Sequence, residues 1–163
     1  MKKIYQRIID GDHGDCMQAA IASLFDDEYE NVPEFIKCKN MGKLFDEYLE
    51  SKGYKVESVL HNLLWNKLMH PTSECSIEKK YYEPCILKPE NLTDGVNGYF
   101  YCSVLSPKYF SWQNMGTHAV ICDSNLNIIH DPNKEYERIR AYPLTSIIGF
   151  SGIIGLYNIV KKK

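Results

Sequence analysis

The sequence predicts an α+β domain in which helices come first and an antiparallel sheet follows. Two amphipathic patterns at 16–25 and 41–52 place apolar residues three and four apart, which is typical of a helix face packed on a core. After residue 99, β-branched and aromatic residues form short runs separated by turns, which is typical of strands. Elements grouped in this way indicate an α+β arrangement rather than alternating βαβ units.

Composition limits the class of protein. The chain has 163 residues, of which 44% are hydrophobic and 25% charged, and predicts one domain spanning 1–163. A net charge of -2 argues against a nucleic-acid partner. No window approaches the roughly 18 apolar residues of a membrane span, and nothing resembles a signal peptide. The six cysteines include no CxxC pair and are expected to be reduced thiols of a cytoplasmic protein.

The N-terminal part of the chain is predicted in some detail. Residues 4–9 indicate a short strand or extended segment, and residues 10–15 form a turn-rich loop before the first helix. The second helix covers 41–52 and is expected to stop at Gly53. Residues 54–60 alternate as a strand does.

The middle of the chain, residues 61–95, has the weakest pattern. Trp65, Leu68 and Met69 indicate a short helix, and the prolines at 84 and 89 interrupt any longer element. Irregular segments of this length in a compact domain often have a binding role.

The C-terminal part is predicted to form the sheet. Strands are expected at 99–105, 117–123, 128–131, 139–148 and 153–160. A loop containing Ser106, Pro107 and Lys108 separates the first two strands, and a tight turn at 124–127 joins the second and third as a hairpin.

Cys16 lies where the first helix is expected to begin. Asp15 is a natural N-cap, since its carboxylate can accept hydrogen bonds from the free backbone N–H groups of the first turn. A thiolate in that turn is stabilised by the positive end of the helix dipole. A lone cysteine at a helix start usually only packs, so any chemistry depends on partners elsewhere in the chain.

The hairpin supplies such partners. His118 opens one predicted strand and Asp131 closes the next, so the short turn brings them alongside each other. A thiol hydrolase needs a base that reaches the sulfur and a carboxylate or amide that holds the imidazole. Cys16, His118 and Asp131 meet those needs.

Three motifs together resemble those of the papain-like cysteine peptidase superfamily. They are Gly-Asp-Cys-Met-Gln-Ala at 14–19, Thr-His-Ala-Val-Ile at 117–121 and Ile-His-Asp-Pro at 129–132. Within it, the chain is most similar to the bacteriocin-processing (double-glycine leader) peptidases and to small phage-encoded proteins that share the motifs. The likeness covers 1–35 and 99–135 and hardly touches the residues between. It implies a papain-like fold, with the nucleophile at the start of the first of the N-terminal helices, packed on a C-terminal antiparallel sheet.

The resemblance also implies roles for individual residues. Cys16 would be the nucleophile, His118 the general base and acid, and Asp131 the group that orients His118, as in the bacteriocin-processing branch where papain has Asn. Gln6 is the only upstream Gln and would donate to the oxyanion together with the backbone N–H of Cys16. It lies farther before the cysteine than in papain, and a backbone N–H in the 11–15 loop is the alternative donor.

Other residues have weaker cases. Strand alternation turns His130 away from Asp131 and predicts a structural role. His13 lies in the loop before Cys16, badly placed to act as its base. A groove beside His118 lined by Tyr109, Phe110 and Trp112 is another possibility. The remaining candidates for a zinc site are His61, His70, Cys75 and Cys85, and their spacings match no usual zinc pattern.

Two functions follow from these observations. The first is a cysteine-dependent hydrolase, peptidase or amidase-like, that needs no metal or cofactor, forms a thioester and acts on a peptide or protein. If phage-encoded, as the resemblance implies, it would act on a host or phage protein in the host cytoplasm. The second is a binding module that keeps the fold, leaves the thiol unused, and captures a host protein or a nucleotide-like small molecule.

Overall fold

A computed structural model describes residues 1–11, 13–69 and 86–163 of the protein. Its helices are α1 (Cys16–Leu24), α2 (Met41–Ser51), α3 (Leu63–Met69), α4 (Lys134–Ile139) and α5 (Thr145–Ile148). Its strands are β1 (Tyr54–His61), β2 (Phe100–Phe110), β3 (Met115–Cys122), β4 (Ile128–His130) and β5 (Ile153–Lys161). These elements confirm the α+β class and the two N-terminal helices.

The five strands form one sheet in the order β1-β5-β2-β3-β4, and each neighbouring pair is antiparallel. The antiparallel sheet of the prediction is therefore confirmed, although its edge strand β1 comes from the N-terminal half of the chain. The last strand, β5, pairs with β1 on one side and β2 on the other, so it joins β1 to the rest of the sheet.

Apolar side chains fill both faces of the sheet. On one face, Ile21 of α1 and Leu49 of α2 pack with Ile121 of β3. On the other face, Val120 packs with Leu156 and with segments outside the sheet. Neighbouring residues of a strand point to opposite faces, so β3 contributes to both clusters. The arrangement fixes α1 against the sheet beside β3.

The predicted ends of the helices are only partly correct. Gly53 has φ +77 just after α2, as expected for a glycine that ends a helix. At its other end, Asn40 accepts a hydrogen bond from the Lys43 backbone N–H at 3.3 Å and caps α2. Asp15 precedes α1, but its side chain makes no capping hydrogen bond, so the predicted N-cap interaction of Asp15 is wrong.

Residues 4–9, predicted as a short strand or an extended segment, belong to no strand of the described sheet, so the strand alternative is wrong. Two further predictions about elements are also corrected. Residues 106–108, predicted as a loop, continue β2 to Phe110, past an irregularity that follows Leu105. The strand predicted at 139–148 is replaced by the end of α4 and by α5, because Arg140 and Leu144 adopt positive φ and break the extended run.

The hairpin of β3 and β4 is confirmed, with its turn shaped by one carboxylate. Asp123 accepts hydrogen bonds from the backbone N–H groups of Asn125 at 2.9 Å and Asn127 at 3.0 Å. β3 begins at Met115, so His118 lies inside that strand and not at its start. Asp131 directly follows β4.

Among the described residues, no helix is both long and apolar enough to cross a membrane.

Candidate active site

His118 and Asp131 form a buried pair where β3 passes the end of β4. The Nε2 atom of His118 lies 2.6 Å from Oδ1 of Asp131. The His118 residue is 6% exposed and Asp131 is 0% exposed. The predicted hairpin therefore brings the two side chains into direct contact and shields their hydrogen bond from water.

The Asp131 carboxylate accepts hydrogen bonds on both oxygens. Oδ1 also accepts from the backbone N–H of Asn133 at 2.7 Å, the local bond that an aspartate makes two residues ahead in a turn. Oδ2 accepts from the hydroxyl of Tyr142 at 2.5 Å. These donors therefore fix the orientation of the buried carboxylate toward His118.

Cys16 is the first residue of α1 and meets the same imidazole. Its thiol is free and half-buried. Burial acts to lower the pKa of His118, but hydrogen bonds and charge from Asp131 and Cys16 raise it to about 9. Because Nε2 is used by Asp131, Nδ1 is the ring nitrogen left for the sulfur. The ring is therefore held as an imidazolium between two acidic groups at neutral pH.

The carboxylate of Asp15 holds the N-terminal segment instead of capping α1. It accepts hydrogen bonds from the backbone N–H groups of Arg7 at 2.8 Å and Ile8 at 2.9 Å, and from the Tyr29 hydroxyl. Asp15 is itself buried. The residue next to Cys16 thus fixes where the N-terminal segment lies.

That segment connects α1 to the end of β4. Toward α1, the backbone N–H of Ile4 donates to Ser23 Oγ at 2.8 Å. Toward β4, the backbone N–H of Gln6 donates to the Pro132 carbonyl at 3.0 Å, and His130 Nε2 donates to the Ile4 carbonyl at 2.9 Å. We call residues 4–8 the N-terminal strap, since they tie the helix of Cys16 to the residues around Asp131.

Gln6, the predicted oxyanion donor, lies in this strap. Its Nε2 donates to the Ile8 carbonyl at 3.3 Å, within the strap itself. Its Oε1 is buried and has no hydrogen-bond partner among the described residues. The structure places Gln6 beside Pro132, and its role toward Cys16 stays a prediction.

The other two histidines considered near the site lie apart from the pair. His130 is fully buried, with Nδ1 3.2 Å from Glu137 Oε1 and the ring of Tyr5 against its own. These contacts match the structural role expected for it. His13 is exposed, and its Nδ1 lies 3.9 Å from an oxygen of Asp10.

Aromatic side chains surround the pair, and two of them were missed by sequence reasoning. Tyr136 of α4 packs edge-on against the His118 ring with centroids 5.3 Å apart, and Tyr142 holds Asp131. The helix that carries Tyr136 could have been predicted from Asn133, a residue that favours the N-cap. In the structure its side chain accepts hydrogen bonds from the backbone N–H groups of the first turn of α4. Nothing local signals Tyr142.

The three aromatic residues expected to line a groove beside His118 lie at the end of β2 and in its connection to β3. Tyr109 lies against the loop before Cys16, since a Cβ added at Gly11 would be 2.9 Å from its ring. Trp112 is 58% exposed and packs on Phe110.

The zinc alternative concerns a different region. His61 lies exposed at the end of β1, whereas His70, Cys75 and Cys85 fall outside the described residues. In the ranges that the structure describes, no three His, Cys, Asp or Glu side chains are grouped to hold a metal ion.

Compared with protein-family models, curated proteins and solved structures, the chain matches none of them.

Proposed function

We propose that this protein is a cysteine-dependent amide hydrolase with a papain-like arrangement, in which Cys16 is the nucleophile, His118 the general base and acid, and Asp131 the orienting group. The observation that supports it most is one imidazole that bonds Asp131 through Nε2 at 2.6 Å and interacts with the Cys16 thiol on its other side. Cysteine hydrolases depend on this juxtaposition of sulfur, ring and carboxylate.

The reaction proceeds in two balanced steps. The Cys16 thiolate attacks the carbonyl carbon of an amide, the C–N bond breaks, and the imidazolium of His118 gives its proton to the departing amine. An acyl thioester remains on the sulfur. His118 then removes a proton from water, the resulting hydroxide attacks the thioester, the C–S bond breaks, and the carboxylic acid leaves as the Cys16 thiolate and the His118 imidazolium are restored.

The position of Cys16 suits a peptide or protein substrate. The sulfur is half-buried at the first turn of α1, so it is reachable from solvent, while His118 and Asp131 behind it are buried. Tyr109 lies near the end of β2, and the exposed Trp112 lies in the connection between β2 and β3; both offer apolar surface to a chain bound there.

Alkylation tests this proposal without knowledge of the substrate. Cys38 is an exposed free thiol in the same chain and serves as the internal reference. With iodoacetamide near pH 6, we expect Cys16 to react at least about tenfold faster than Cys38, because only a thiolate is a good nucleophile at that pH. Peptide mass spectrometry reads each cysteine separately.

His118→Gln supplies the matched control, since it removes the imidazolium and leaves Cys38 untouched. It should abolish the advantage of Cys16. Reaction of Cys16 at or below the rate of Cys38 in the wild-type protein would overturn the proposal and favour a binding module whose thiol is unused. Where Cys16 is activated, intact-mass detection of an acyl adduct lost in Cys16→Ala identifies the substrate class.

A further inference from the structure

We propose that Tyr142 is a positioning residue of this site: its hydroxyl holds the Asp131 carboxylate oriented toward His118, and through that pair sets the pH at which Cys16 becomes reactive. The inference rests on the proposed function, since it concerns the same three groups.

The contact itself is short and buried. Tyr142 is 6% exposed, and its hydroxyl donates to Asp131 Oδ2 at 2.5 Å. The other oxygen, Oδ1, is already shared by His118 and the backbone N–H of Asn133. Removing the phenol hydroxyl leaves Oδ2 buried without this donor, which frees the carboxylate to turn away from the ring of His118.

The surrounding chain holds Tyr142 in place. Its ring belongs to the apolar cluster on the sheet face that includes Val104 and Leu156. Its carbonyl accepts a hydrogen bond from Thr145 Oγ1 at 2.8 Å. Gly152 has φ +80, and a Cβ added there would be 3.0 Å from the Cβ of Tyr142, so the glycine allows the close approach of the two segments. The hydroxyl therefore has little freedom to leave Asp131.

The expected effect follows from the order of the groups. A charged Asp131 favours the protonated ring of His118, and the protonated ring favours the thiolate of Cys16. Once the carboxylate is no longer fixed by Tyr142, its hydrogen bond with Nε2 of His118 weakens, and the ring holds its proton less tightly. The thiolate is then lost at a higher pH than in the wild-type protein.

Other charged groups near these residues stay constant over the relevant pH range. Arg140 and Glu137 both act on Tyr142 through their charge. Partial burial acts to raise the pKa of Glu137, but hydrogen bonds from Lys3, Tyr5 and His130 lower it to about 2. The guanidinium of Arg140 is always protonated. Against the His118 ring itself lies the uncharged ring of Tyr136, with Cys16 and Asp131 as its titratable partners.

The test compares two buried tyrosines that each bond a carboxylate. Tyr142→Phe removes the hydroxyl at the site. Tyr48→Phe removes one that donates to Asp27 Oδ2 at 3.0 Å, at the far end of α1. The rate of Cys16 alkylation by iodoacetamide is measured against pH for the wild-type protein and both variants. We expect the acid limb of Tyr142→Phe to move up by about one pH unit, a tenfold lower rate within the limb, and Tyr48→Phe to match the wild type.

A second variant covers the case in which Tyr142→Phe does not fold. Site-specific 3-fluorotyrosine at 142 keeps the ring and makes the phenol a stronger donor, so the acid limb should move to lower pH. If the acid limbs of the pH profiles coincide for the wild-type protein and both changes at 142, the role of Tyr142 is overturned. The proposed function still stands in that case, provided that Cys16 reacts faster than Cys38. If Cys16 shows no such advantage, the proposed function fails, and an unchanged NMR titration of His118 in Tyr142→Phe separately overturns the positioning role.

Discussion

At the scale of single residues, His118 is subject to opposing influences. Burial disfavours its charged form, while Asp131 and Cys16 favour it and raise the pKa from 6.5 to about 9. A ring whose pKa is higher in the folded than in the unfolded protein binds its proton more tightly when folded. Its contribution to stability is therefore complete below pH 6.5 and disappears as the pH rises through the folded value.

Cys16→Ala isolates this effect, because the thiol no longer exchanges protons with the ring and the Asp131 bond remains. We expect the free energy of unfolding of Cys16→Ala to fall as the pH rises above 6.5, by at most about 1.4 kcal/mol per pH unit, and over a narrower range than the wild-type pKa would give, because Cys16 no longer helps to raise the pKa of His118. Urea denaturation at a series of pH values measures it. The double variant Cys16→Ala, His118→Gln should lack this fall, and identical pH profiles for the two variants would contradict the prediction.

The sequence accounts for some of these residues and not others. The contact of His118 with Asp131 could be predicted, because the sequence shows two strands joined by a short turn, and such a hairpin brings the two residues together. Tyr142 follows Asp131 by eleven residues, through a segment that has no regular period. Its contact depends on tertiary packing around Gly152, which no local pattern encodes.

At the scale of elements, the N-terminal strap gives Asp15 a different structural role from the one that the sequence predicted. As an N-cap it would act within α1, and any good capping residue would replace it. In the structure it instead binds the strap through the N–H groups of Arg7 and Ile8, and the Tyr29 hydroxyl. Asp15 precedes an amphipathic run as N-caps do, so the sequence pattern alone did not separate the two roles.

Replacing Asp15 with Ser distinguishes these roles, since Ser and Asp cap helices about equally well. The shorter hydroxyl cannot replace a carboxylate that accepts three hydrogen bonds, so we expect Asp15→Ser to lower the free energy of unfolding by about 3 kcal/mol. Asn40→Ser is the control, because Asn40 does cap α2, and should cost under about 0.5 kcal/mol. Equal small losses in urea titrations of both variants would show that the strap contacts of Asp15 are unimportant.

The misassigned stretch at 139–148 shows where pattern reasoning fails. Ile139, Tyr142 and Ile148 favour a strand by propensity, but Pro143 lies in the middle of the stretch and marks a break that the prediction did not take into account. The observed chain turns at Arg140 and Leu144, both with positive φ. Packing of Tyr142 and Ile148 into separate apolar clusters outweighs local preference there.

At the scale of the whole molecule, the order of the strands is the feature least evident from the sequence. β5 is buried along most of its length, with Ile153, Leu156 and Ile159 each at most 1% exposed. Near-continuous apolar runs of this kind are typical of strands covered on both faces, so a central position was foreseeable. Its partner β1 lies about a hundred residues earlier, and choosing that partner requires knowledge of the whole fold.

This topology predicts that the fold depends on the end of the chain. β1 pairs along its length with β5, and its other bridge in the described residues joins His61 to Ile86. Without residues 153–163, both β1 and β2 lose a hydrogen-bonded neighbour and the faces that β5 covers are exposed. We expect that truncation to abolish cooperative urea unfolding monitored by circular dichroism.

The control is a shorter truncation that removes only 162–163. It deletes the hydrogen bond from the Lys162 backbone N–H to the Gly53 carbonyl and a surface ion pair with Glu50, and should lower the free energy of unfolding by about 1 kcal/mol or less. A cooperative transition in the longer truncation would show that β1 and β2 hold the fold without β5.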